Sequence, residues 1–127
     1  MQAQQELFKY FKTEYPNAFD GAIPPKNTPY PFIYIADTRQ QLGESKTREY
    51  GYITIIIHIW HDSWKQRGTV SEMMADVLST AGNLAETANY RWSLIRNETE
   101  QQILADNTTN PPLVHGWNSL RYNYSRK

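Results

Sequence analysis

The residues whose types and spacing come nearest to chemistry are His58, His61 and Asp62, which fall within five positions of one another, and His115, which stands beside Gly116 and Trp117. Imidazole nitrogens and a carboxylate are the donors of a zinc-type site. The surrounding sequence reads as a strand, however, and strand positions three apart point to opposite faces. His58 and His61 therefore share a metal only if the strand breaks between them. We read His58 as a half-buried sheet residue, and no further ligand pattern accompanies His115. Ser63 and Ser71 lie outside any Gly-x-Ser-x-Gly elbow. Asp62, Glu72, Asp76, Glu86, Glu98, Glu100 and Asp106 include no pair set against an apolar background, so they read as solvated faces and caps. Glycine-rich phosphate loops are absent from the sequence. With no cysteine there is no disulfide, thiol nucleophile or thiolate site. The expectation is a protein that is not an enzyme and takes no cofactor.

The element carrying His58 is more informative than the histidine itself. Over residues 52–60 the two registers of a strand separate cleanly: Ile53, Ile55, Ile57 and Ile59 on one side, Tyr52, Thr54, Ile56, His58 and Trp60 on the other. The first set is core. The second mixes aromatics, a β-branched aliphatic and polar tips, the chemistry enriched where protein meets protein. We take these five residues, with Arg39 and Arg48 from the polar stretch before them, as interface candidates. Lys65, Arg67, Arg91, Arg96, Arg121, Arg126 and Lys127 lie near Trp64, Trp92, Trp117, Tyr122 and Tyr124, a mix able to stack bases. Arg and Tyr also dominate protein interfaces. The 13 basic and 13 acidic residues leave no net field to hold nucleic acid or an anionic membrane, so we read the mix as protein interface rather than nucleic-acid site.

Those strands need a scaffold. A chain of 127 residues fits one domain, residues 1–127. Leu7, Phe11 and Tyr15 recur at helical spacing over residues 4–15, and Pro16 ends that helix. Residues 17–30 hold Gly21, Pro24, Pro25 and Pro29 and read as an irregular connector, after which Pro31 opens a strand over 32–36. Residues 37–51 are polar and read as a long hairpin tip or mobile loop. Thr69 and Glu72 have the spacing of a capping box that starts a second helix. Val70, Met73, Met74, Val77, Leu78 and Ala81 share one of its faces, with Gly82 and Asn83 as a left-handed stop. Strands follow over 90–96, 101–105 and 115–124, with a turn over 107–112. The expected fold is α+β: a mostly antiparallel sheet with helices packed on one face. The polar N-terminus and the lack of any spanning apolar stretch predict a soluble protein made without a secretory signal.

The sequence also carries a resemblance. The segment Thr28-Pro29-Tyr30-Pro31-Phe32-Ile33-Tyr34-Ile35, the strand over 54–62 ending His-Ile-Trp-His-Asp, the helix start Arg67-Gly68-Thr69-Val70, the run from Gln101 through Thr109 and the stretch near 113–116 together resemble small tail-completion proteins of long-tailed bacteriophages and prophages. These are the tail-terminator, or tail-to-head joining, proteins. The resemblance covers nearly the whole chain through order and spacing, and no catalytic signature belongs to it. It implies an α+β domain that closes as a six-membered ring on the finished tail tube, stops tube growth and presents a surface to the head connector. Its partners would be the tail tube protein and the head-connector protein. Its place would be the virion, at the head–tail junction, after synthesis in the host cytoplasm. Two other readings stay open: a neck or head-completion protein contacting the connector or DNA, and a small metal-dependent enzyme using His58, His61 or His115.

Overall fold

A computed structural model describes residues 1–21, 24–44, 48–109 and 111–127. The chain begins with helix α1, Ala3–Glu14, whose first turn is closed by the Gln5 side chain accepting from the Gln2 N–H at 2.9 Å. The helix stops ahead of Pro16, as the ring of that residue requires. The proline-rich connector contains a two-residue strand the sequence does not reveal: β1, Phe19–Asp20, pairs parallel with β2, Phe32–Leu42. Strand β3, Tyr50–His61, runs antiparallel to β2 on one side and to β6, Leu113–Arg126, on the other. Two shorter strands share the far edge of β6: β4, Tyr90–Leu94, against its C-terminal half and β5, Glu100–Asp106, against its N-terminal half. Among the described residues this is one six-stranded mixed sheet in the order β1-β2-β3-β6-β4, with β5 beside β6.

Helix α2, Arg67–Asn83, lies with α1 on the same face of the sheet. Beneath them Ile53, Ile55, Ile57 and Ile59 are fully buried with Leu120 and Tyr122. Burying each such side chain contributes about 1.5–3 kcal/mol, so this face carries the fold. Its polar groups are satisfied. Tyr122 Oη donates to Ala81 O at 2.7 Å, and Tyr10 Oη donates to Thr80 O at 2.6 Å. Buried Asn118 donates to Ile57 O at 2.9 Å and accepts from Gln101 Nε2 at 2.8 Å. Gly116 fixes how closely α2 approaches: a Cβ there would stand 2.9 Å from both Met74 Sδ and Val70 Cγ1.

Three local expectations are corrected. The polar stretch after Ala36 is largely strand, since β2 runs to Leu42 and pairs Thr38 through Leu42 with Ile55 through Gly51. Its polarity misleads because Thr38 and Gln40 point to the helix side and bond there, Thr38 Oγ1 donating to Gln4 Oε1 at 3.0 Å and Gln4 Nε2 donating to Gln40 Oε1 at 2.8 Å. Residues 43, 44, 48 and 49 lie outside both strands, and the part of the expected loop at 45–47 lies outside the described residues. Second, α2 starts before Thr69. A 3₁₀ turn, Trp64–Gln66, leads into it, and Thr69 Oγ1 donates to Gln66 Oε1 at 3.0 Å instead of capping Glu72. Third, α2 passes through Gly82 without a left-handed residue; among the described residues the positive-φ glycines are Gly21 and Gly51.

Candidate functional site

The sheet face opposite the helices has no element over it among the described residues, and the predicted interface set is placed there. Tyr52, Thr54, Ile56, His58 and Trp60 alternate with the buried isoleucines along β3. They face across to Asn123, Arg121, Ser119, Trp117 and His115 of β6, in that order. On β2, Tyr34 stands opposite His58 and Phe32 opposite Trp60. A bulge interrupts that pairing: Ile35 faces Ile57 and Thr38 faces Ile55, so Ala36 and Asp37 share Ile56. Beyond the bulge, Arg39 stands opposite Thr54 on the open face. Arg48 is elsewhere, exposed in the hairpin tip.

Two chemistries divide this face. Toward one end Arg39 and Arg121 flank Thr54, with the Arg121 guanidinium 4.7 Å from the centre of the Tyr52 ring. Arg121 Nε lies 3.8 Å from Glu98 Oε2, an ion-pair separation too long for a hydrogen bond. Toward the other end the side chains are aromatic and stacked. The rings of Trp60 and His115 lie 3.9 Å apart and 3° from parallel, and the His58 ring meets His115 edge to edge, with ring centres 4.8 Å apart.

The histidines behave as strand geometry requires and also in one way the sequence did not reveal. His61 falls on the other side of β3 from His58 and bonds locally, its Nδ1 accepting from the Asp62 N–H at 2.9 Å. His58 instead meets His115, 57 positions later, with its Nδ1 2.6 Å from His115 Nε2, one nitrogen donating and the other accepting. That bond needs at least one neutral ring, and the surroundings favour neutrality. Burial pushes His58 below its ordinary value against the pull of Asp37. Burial and then neighbouring His58 push His115 down to about 4, against the pull of Asp106. Among the described residues no three His, Asp or Glu side chains gather as metal ligands. No helix is long and apolar enough to cross a membrane.

No family model matches the sequence, and no curated protein matches it. Among solved structures the chain is similar to a chain of the "Virion of native gene transfer agent (GTA) particle", with a TM-score of 0.60 and 10% sequence identity over 97% of this chain and 94% of that one. At that identity the likeness is one of fold: the same α+β architecture, over nearly the full length of both chains, occurs in a subunit of a virion.

Proposed function

We propose that this protein is a structural subunit of a phage-like particle that caps the tail tube, ends its elongation and forms the surface joining tail to head. The observation that carries the reading is the sheet face that no helix or strand covers among the described residues. An uncovered face with Phe32, Tyr34, Trp60 and Trp117 along it is better suited to contact with protein than with water. A subunit that works by binding needs one face for its own core and another for its neighbours, and β3 supplies both from alternate residues. The fold shared with a virion chain supports the setting.

In this reading the subunits close as a ring, six on the tail, because a heterologous contact repeated by a closing rotation gives a finite ring. The ring contacts the tail tube protein below and the head-connector protein above. Tyr52, Thr54, Ile56, His58 and Trp60, with Arg39 beside them, form the contact surface, and catalysis has no part in it. Deleting the gene from its phage or prophage and imaging the induced lysate by electron microscopy tests the proposal. Overlong or unattached tails beside filled heads are expected; intact infectious particles would overturn it.

A further inference from the structure

The aromatic end of the open face sinks into a cleft of about 340 Å³ between the connector at Pro24 and Tyr30, the strands β2 and β3, and the junction of β5 with β6 at Asp106 and Leu113. Tyr30, Phe32, Tyr34 and Trp60 line it, with His58 alongside and Asp106 at the edge. The walls are held in place. Phe32 packs edge-on against Phe19 at 5.8 Å and lies 5.4 Å from Tyr30, while the stack on His115 fixes the Trp60 indole. Asp106 is positioned by its own turn, its Oδ1 accepting from Thr108 N at 3.0 Å and Thr108 Oγ1 at 2.6 Å, which holds its carboxyl below the usual range. Its Oδ2 has no hydrogen-bond partner among the described residues. With the His58 imidazole neutral, the one formal charge on the cleft lining is that carboxylate.

We propose that this cleft receives an arginine side chain from the protein that docks on the open face, its guanidinium stacked on the aromatic walls and paired with Asp106. Ring faces attract a cation through their quadrupole, and a planar guanidinium both stacks and meets a carboxylate in a way that a compact ammonium does not. Charge complementarity selects the occupant: a guanidinium gains the Asp106 carboxylate as a partner, an apolar side chain gains nothing from it, and an acidic one would be repelled by it. The assignment rests on the open face being a contact surface and specifies the chemistry the partner must bring.

The test is a titration of the free protein with N-acetyl-L-arginine amide, followed by amide and indole NMR shifts and by tryptophan fluorescence. N-acetyl-L-citrulline amide, of the same shape without the charge, serves as the control. Saturable shifts confined to Trp60, Tyr34, Phe32 and Asp106 are expected with the arginine compound, at least tenfold weaker with citrulline. Asp106→Asn should weaken the arginine response at least tenfold with an unchanged melting temperature. Tyr30→Ala, at a residue 39% exposed, gives a second variant that leaves the core intact and should also weaken it. No saturable shift, equal binding of citrulline, or an undiminished response in Asp106→Asn would overturn the assignment. The titration reads the cleft alone and the deletion imaging reads the role in the particle, so failure of one is distinct from failure of the other.

Discussion

The two faces of strand β3 are built from neighbouring residues of one run and have opposite fates. On one, Ile53, Ile55, Ile57 and Ile59 are sealed beneath α1 and α2. On the other, Tyr52 is 41% exposed and Thr54, Ile56, His58 and Trp60 are half buried, with no helix above them among the described residues. The difference teaches that a period of two lets one strand serve two purposes with little interference. A substitution on the first face should register as stability, and one on the second as association.

The largest expected effect is on the core face. Ile57→Ala removes buried methyl groups from a fully packed site and should lower unfolding free energy by about 2–5 kcal/mol in a denaturant titration. A loss below 1 kcal/mol would mean that the face is less tightly packed than described. Gly116→Ala comes next. Its new methyl group meets Met74 and Val70, and about 1–3 kcal/mol should be lost as α2 is pushed from β6. Trp60→Ala should behave differently. It gives up a stack on His115 worth about 0.5–1.5 kcal/mol in addition to part of its area burial, so stability should fall by less than in Ile57→Ala, while self-association or binding to tails weakens by about thirtyfold or more. Analytical ultracentrifugation beside calorimetry separates the two.

Acid should reveal smaller effects with a distinct origin on each side of the sheet. On the helix side, burial alone would raise the carboxyl of Glu6, but hydrogen bonds from Thr87 and Asn89 outweigh it and hold the pKa below the usual value. A depressed carboxyl contributes stability above its unfolded pKa and loses it as pH falls through the folded one. Glu6→Gln should therefore flatten the decline below about pH 4.5, the ordinary value for this carboxyl. On the open face, His115 is held neutral to about pH 4. A depressed imidazole gives full stability above its unfolded value and loses it as pH drops from there toward the folded one. His115→Gln should remove the part of the acid response between about pH 6.5 and 4. Unfolding curves of the two variants across pH would show whether these windows separate.

Much of this architecture was legible because it rests on local pattern. The alternation at 52–60, the apolar face of the second helix, Pro16 as a stop and three later strands are all written in short windows, and each element is present with boundaries shifted by a few residues. Polar residues that serve a neighbour defeated the pattern. Thr38 and Gln40 look like loop because their partner, Gln4, is 34 and 36 positions away. The two-residue β1 is too short to carry a period. At the site, the alternation named the open-face residues of β3, but neither the His58–His115 bond nor the arrival of Asp106 at the cleft follows from composition. Both depend on the register of β6 against β3 and β5, which adjoining sequence does not encode.

The central claim is that the open face, and not the core behind it, makes the particle. It is tested most directly by complementing the gene deletion with two alleles, Trp60→Ala and Ile57→Val, after matching their folded fractions at the growth temperature. The account predicts that Ile57→Val, which costs about 0.5–1.5 kcal/mol of stability, restores tails of normal length and infectious particles, while the folded Trp60→Ala protein leaves overlong or headless tails. Full restoration by Trp60→Ala, at wild-type particle yield, would contradict it.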